Sequence, residues 1–324
     1  MRRFLRPALA PFLLLALSSS AFASAAEPAV EDEIPPDRSI TVGQAVILGV
    51  VEGLTEYVPV SSTGHLILTS HLLGLTRFTE ERAWIGRKLE SPPALDTYEI
   101  VIQFGAILAV LGLYRRRVRQ MIDGLLGRDR EGLRLAGLLA VAFAPAVVIG
   151  LLLHGFITEH LFSPATVCLA LVVGGVVMLS VEGFSPVRLR ASNEGLGLLQ
   201  ITYTQALIIG FAQVIAMWPG TSRSMVTIVA AMLLGMSRLA AAEFSFLLAL
   251  PTLGGATVYA AWRGWDDLLH SAGWDGLLVG LVVSGIVAAL AVAGFIRYLT
   301  RHGLAAFGVY RIVVALVLAV LLLR

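Results

Sequence analysis

The chain has 324 residues, of which 57% are apolar and only 14% charged, and its mean hydropathy is +0.83. Soluble domains run at about 45–50% apolar and about 25% charged, so one water-facing fold cannot hide this much apolar surface and the chain belongs in a bilayer. The single cysteine, Cys168, excludes a disulfide scaffold and a multi-cysteine metal site, and a scattered net charge of +2 gives no footprint for nucleic acid.

In chain order, Arg2, Arg3 and Arg6 precede an apolar run over 8–17, then three serines and the small-residue pattern Ala21-Phe22-Ala23-Ser24-Ala25. That run is short against the roughly 20 residues of a transmembrane helix. The pattern predicts a signal peptide over 1–25, cleaved near 23–26, and an exported, proline-containing tail over 26–39. Six later stretches are long and apolar enough to cross a bilayer: 97–114, 134–153, 163–183, 240–262, 276–296 and 304–323. Two others are broken. The stretch 40–57 is interrupted by Pro59 and followed only by 62–74; the stretch 201–217 is interrupted by Pro219-Gly220 and followed only by 224–235. At about 1.5 Å per residue the second halves fall well short of a roughly 30 Å hydrocarbon core. Both regions are expected to be re-entrant helix pairs, which are tolerated at membrane depth only inside protein or beside a polar cavity.

The two broken regions are copies. Ile40-Thr41-x-x-Gln44-Ala45-x-Ile47-x-Gly49 matches Ile201-Thr202-x-x-Gln205-Ala206-x-Ile208-x-Gly210, an offset of 201 − 40 = 161 that also pairs Ser61 with Ser222 and Leu72-Leu73-Gly74 with Leu233-Leu234-Gly235. The expected architecture is an all-α polytopic membrane protein with six full spans and two re-entrant pairs, divided into repeats over 40–200 and 201–324. Three full crossings per repeat invert the second repeat relative to the first. Loop charge agrees: the arginines of 115–133, 184–200 and 297–303 mark cytoplasmic loops, whereas 154–162 carries no Arg or Lys, 263–275 sets Arg263 against three aspartates, and 75–96 balances four bases with four acids. Inverted repeats with broken helices are common in secondary transporters, so transport is one reading of the architecture.

The polar residues at the breaks read differently. Glu52 and Glu56 lie i, i+4, so on a helix both carboxylates share a face, and acids in an apolar segment are a functional-site signal. They suit a proton acceptor or a metal ligand. Ser61, Ser62 and Thr63 stand where the first short helix begins, either as caps or, beside a carboxylate and His65, as an activated nucleophile. The mirrored break reads Pro219-Gly-Thr-Ser222-Arg223-Ser224, and Arg223 is the one basic residue between Tyr203 and Ser237. A lone arginine at a helix start, between Ser222 and Ser224, suits a phosphate or an ion pair with Glu52 or Glu56. Acid, base, nucleophile and anion clamp together are the parts of a phosphoryl-transfer site. Glu99 and Glu243 open spans in corresponding places and either complement the helix dipole or brace the site.

Gly49-Val-Val-Glu-Gly-Leu-Thr-Glu-Tyr-Val-Pro-Val-Ser-Ser-Thr-Gly-His65 and Trp218-Pro-Gly-Thr-Ser-Arg-Ser224 closely resemble the two motifs of the bacterial undecaprenyl-diphosphatase (bacitracin-resistance protein) family. The resemblance implies hydrolysis of undecaprenyl diphosphate to the monophosphate, which recycles the lipid carrier of peptidoglycan synthesis. It implies dependence on a divalent cation, Mg²⁺ or Ca²⁺, with Glu52 and Glu56 as candidate ligands, and a site facing the periplasm of the inner membrane. By the same resemblance, Glu52 and Glu56 form the acidic motif, Ser62 is the nucleophile, His65 the motif histidine and Arg223 the phosphate-binding arginine. Ser61, Thr63, Ser222 and Ser224 would complete the diphosphate pocket. The rival class is a transporter or flippase for the polyprenyl phosphate lipid. A homo-oligomer is neither required nor excluded by the sequence.

Overall fold

The computed structural model describes residues 40–82, 87–183 and 195–322, which belong to one compact unit. The expected signal peptide and tail over 1–39 and the loop arginines Arg188 and Arg190 lie outside the described residues. The first broken region forms α1 (Val42–Thr55) and α2 (Ser62–Leu72), followed by a hairpin of β1 (Arg77–Arg82) and β2 (Arg87–Glu90). Then come α3 (Pro93–Leu113), α4 (Arg115–Leu125), α5 (Arg130–His160) and α6 (Pro164–Gly183). The second broken region forms α7 (Tyr203–Ile215) and α8 (Arg223–Leu233), and α9 (Arg238–Leu299) and α10 (Ala305–Leu322) complete the chain. The protein is an all-α, multi-pass membrane protein in which five of these helical runs are long and apolar enough to cross a bilayer.

Two local features depart from the sequence reading. The region 115–133 holds the helix α4, and the region 75–96 holds the antiparallel hairpin, with Arg77 opposite Glu90 and their side chains paired at 2.9 Å. Neither element is long enough to cross a membrane, so a reading keyed to span length passes over both.

The 62-residue run of α9 holds two of the expected spans, because its backbone leaves helical geometry at Gly264 and Gly273 (φ 62°). Contacts with α3 show that the chain reverses there. Moving along α3, Thr97 faces Gly264 and the Ile100 carbonyl accepts from Thr257, so the partner number falls; Tyr98 donates to the Gly276 carbonyl and Gly105 packs on Gly285, so it rises. The two halves of α9 therefore run antiparallel beside α3, and the six expected spans are all present.

The duplication reappears as geometry. Thr41 and Gln44 form a capping box at the start of α1, and Thr202 and Gln205 form the same box on α7. Gln44 donates to the Leu73 carbonyl and Gln205 to the Leu234 carbonyl, partners 161 residues apart in each case. Ser61 (φ 75°, ψ 101°) and Ser222 (φ 74°, ψ 112°) are the two non-glycine residues with positive φ among the described residues, and each caps the short helix that follows. A residue in that region is held there only when its surroundings over-determine it, at about 1–3 kcal/mol. The same strained corner is built twice.

The halves interlock through glycines. A Cβ on Gly49 of α1 would lie 2.8 Å from the Gly280 carbonyl oxygen in the second half of α9. Its counterpart Gly210 of α7 abuts the Ala142 carbonyl of α5, and Gly175 of α6 meets Gly308 of α10 in the same manner. Each broken helix thus packs backbone to backbone on a span of the other half, the close approach that small residues permit in lipid. Gly210→Ala is expected to cost about 1–3 kcal/mol and lower the Tm of the detergent-purified protein by about 2–5 °C, whereas Gly43→Ala, whose Cβ meets nothing within 4 Å, should leave it unchanged or slightly higher.

Candidate active site

The helix α1 ends because Pro59 cannot continue it, and the chain turns over 56–60 before Ser61 starts α2. This places Glu56 at the C-cap of α1 and Ser62 on the first turn of α2, where the Ser62 hydroxyl donates to Glu56 Oε2 at 2.6 Å. From the other half, the Pro219-Gly220 turn and the strained Ser222 start α8, so Arg223 occupies the position that Ser62 holds in α2 (223 − 62 = 161). Arg223 Nη2 donates to the remaining oxygen of the same carboxylate, Glu56 Oε1, at 3.2 Å. The two equivalent positions of the repeat meet on one carboxyl group.

This pair is out of water, with side-chain exposures of 9% for Arg223 and 5% for Glu56. Further contacts fix the guanidinium: Nη1 donates to the Ser245 carbonyl at 3.0 Å, and the charge lies 5.5 Å from the centroid of the Tyr57 ring. Tyr57 is held edge-on by Phe246 at 5.3 Å, and Ser245 also bonds the Thr227 hydroxyl at 2.7 Å. A buried ion pair is costly to break, about 3–5 kcal/mol when one partner is removed.

Three polar atoms around the pair are buried without a hydrogen-bond partner: Glu52 Oε1, Tyr57 Oη and Arg223 Nε. Glu52 lies among Glu56, Glu99, Gln103 and Arg223. Buried polar groups are rarely left unmatched in native proteins, so an open acceptor, an open hydroxyl and an open guanidinium N–H near the pair leave hydrogen-bonding capacity for a polar ligand. Among the described residues no three acidic, histidine or cysteine side chains cluster as a metal site.

The remaining candidates divide. Ser61 and Ser222 serve as caps, donating order rather than a free hydroxyl, although Ser222 also bonds Ser224 at 3.1 Å. Ser224 donates to the Val58 carbonyl at 3.2 Å and ties the second break to the first. Thr63 lies next to Ser62 and lines a cavity of about 70 Å³ shared with Ser70, Asp96 and Glu99. Both ring nitrogens of His65 are engaged by groups other than the carboxylate: Nδ1 donates to the Ser61 carbonyl at 2.7 Å, and Nε2 shares a hydrogen bond with the Tyr310 hydroxyl at 2.8 Å. It braces the corner. Glu99 accepts from Ser70 at 2.6 Å, and Glu243 pairs with Arg117 at 2.8 Å.

Sequence reasoning missed Tyr57, Ser245 and Arg311. Arg311 is fully buried, and its Nη2 donates to the Gly220 carbonyl at 2.9 Å and to the Ala170 carbonyl at 3.1 Å, pinning the turn that carries Arg223. A lone arginine inside an apolar span was the available signal.

Residues 45–317 match the family model described as bacitracin resistance protein BacA. Among curated relatives, an undecaprenyl-diphosphatase of Sorangium cellulosum is 51% identical over 270 residues, 83% of this chain and 82% of that protein. An undecaprenyl-diphosphatase of Aromatoleum aromaticum is 44% identical over 84% of this chain and 92% of its own, and undecaprenyl-diphosphatase 3 of Acinetobacter baylyi is 40% identical over 88% and 99%.

Substituting Glu56→Gln or Arg223→Met alone leaves the other group buried and unpaired, and each should cost about 3–5 kcal/mol. The double substitution should cost far less than the sum, a non-additivity of about 2 kcal/mol or more in a double-mutant cycle read by unfolding. Additive losses would mean that the two groups do not depend on one another.

Proposed function

We propose that this chain, which belongs to the bacitracin resistance protein BacA family, hydrolyses undecaprenyl diphosphate to undecaprenyl phosphate and inorganic phosphate. The activity recycles the lipid carrier of peptidoglycan synthesis and gives resistance to bacitracin. The observation that carries this reading is the Ser62 hydroxyl donating to a carboxylate that Arg223 grips from the other side. A transporter of the lipid monophosphate has no use for a hydroxyl so poised.

In this mechanism Arg223, through its open Nε and the backbone N–H groups that start α8, holds the diphosphate at the helix N-terminus. Glu56 takes the Ser62 proton as Oγ attacks the terminal phosphorus. The bond to the bridging oxygen breaks, undecaprenyl phosphate departs and takes up that proton, and a phosphoserine remains. Water then attacks this phosphoserine with Glu56 again accepting a proton, which releases phosphate and restores Ser62. Tyr57, whose ring lies against the guanidinium and whose buried hydroxyl has no partner, joins the anion-binding wall.

The residues fit a divalent cation. Glu52 keeps a buried, unmatched carboxylate oxygen beside Glu56, and Mg²⁺ is commonly held by one or two carboxylates plus substrate phosphates and water. Such an ion, Mg²⁺ or Ca²⁺, would neutralise charge on the diphosphate. We place the site toward the periplasmic side and the two halves in inverted orientation, on the loop-arginine pattern that puts 115–133 and 297–303 in the cytoplasm.

Phosphate release from a long-chain prenyl diphosphate by the purified protein tests the reading. Ser62→Ala and Glu56→Gln should each lower turnover by about 10²–10⁴-fold in protein that remains folded. Chelation with EDTA should stop turnover, and added Mg²⁺ or Ca²⁺ should restore it. Near-normal turnover in Ser62→Ala would remove the nucleophile assignment.

A further inference from the structure

Lined by none of the residues assigned to the diphosphate site, a cleft of about 560 Å³ opens at the junction of α3 and α4, walled by Tyr114, Arg115, Arg116, Arg117, Gln120 and Glu243. Three consecutive arginines face one acid. Glu243 pairs with Arg117, which also donates to Gln120, so the acid in the cleft is taken. Among the described residues Arg115 and Arg116 make no ion pair, and both are exposed. They stand at the start of α4, a helix with no acid in its first turn and no side-chain cap. Positive charge at a helix N-terminus opposes the helix dipole, so two arginines and the open N–H groups there share one unmet requirement, an anion.

The rest of α4 says where that anion resides. Val118, Met121, Ile122 and Leu125 recur at helical spacing on one face, and Ile122, Leu125 and the following Leu126 are exposed. A short helix with a cationic start and an uncovered apolar face lies in the interfacial layer of a bilayer, at the depth of the headgroups. The cleft also adjoins the end of the span α3, at Leu113 and Tyr114. We propose that this cleft is a binding site for the phosphate of an anionic phospholipid, with Arg115 and Arg116 contacting the headgroup while the apolar face of α4 lies beside its acyl chains. Basic pockets between membrane helices recognise lipid phosphates by this combination of charge and depth. The inference rests on the fold and stands apart from the hydrolase reading.

The test is native mass spectrometry of the detergent-purified chain titrated with phosphatidylglycerol, with phosphatidylcholine as the zwitterionic control. Each arginine near an anionic headgroup contributes about fivefold in affinity, so the Arg115→Ala/Arg116→Ala double variant should bind phosphatidylglycerol about 25-fold more weakly. The Arg128→Ala/Arg130→Ala variant, which removes the same charge outside the cleft, should bind as the unaltered chain does, and unchanged Tm values establish that both variants fold. Equal weakening in the two double variants would reduce the effect to general surface charge and overturn the site. Equal binding of phosphatidylcholine would also overturn it. Occupation by inorganic phosphate alone, at concentrations that displace the lipid, would reassign the cleft to a soluble anion.

Discussion

A guanidinium and a carboxylate meeting at 3.2 Å out of water hold the two halves of this molecule together where they matter. Neither charge is stable alone in a bilayer-embedded core, so each half needs the other. The pair fixes the carboxylate by one oxygen and leaves the second for the Ser62 hydroxyl at 2.6 Å. The remaining contacts of Arg223, to the Ser245 carbonyl and the Tyr57 ring, set its angle, so that Glu56 is presented in one orientation. The proposed chemistry then requires little movement, because the carboxylate and the hydroxyl are already in hydrogen-bond contact.

Duplication explains how such a site arises from simple parts. A helix ending, a serine forced to positive φ and a short capped helix form one unit, used at Ser61 and again at Ser222. The first residue of each short helix emerges at the interface, and the two copies have been given different side chains: the hydroxyl of Ser62 in one, the guanidinium of Arg223 in the other. Glu52 likewise corresponds to Gln213, also buried, so the acid of one half is answered by an amide in the other (213 − 52 = 161). In the mechanism proposed above, one copy carries the reacting groups and the other the anion clamp. Backbone contact at Gly49 and Gly210 presses each copy against a span of the opposite half, which keeps the two corners in register.

The spans, the breaks and the repeat were legible because each rests on a long-range pattern: apolar length, a proline in a short segment, a constant offset. Glu56, Ser62 and Arg223 were legible because polar residues stand out at membrane depth. Their mutual arrangement was less so. The sequence offered Arg223 a partner in either Glu52 or Glu56, and only packing selects Glu56. His65 stands three residues from Ser62, close enough in sequence to suggest a shared role, yet its ring turns to Tyr310, a residue 245 positions away. Tyr57 and Ser245 carry no signal until the guanidinium lies against them. The helix α4 was hidden by its own arginines, which read as loop charge although their spacing with Val118, Met121, Ile122 and Leu125 is helical.

The central claim is that Glu56 activates Ser62 for direct attack on phosphorus, so that the phosphoryl group passes through the protein on its way to water. Stereochemistry at the transferred phosphorus tests this most directly, using a prenyl diphosphate whose terminal group is an isotopically chiral thiophosphate hydrolysed in labelled water. Two in-line displacements, first by Ser62 and then by water, predict net retention of configuration. Net inversion would show a single attack by water and would contradict the account.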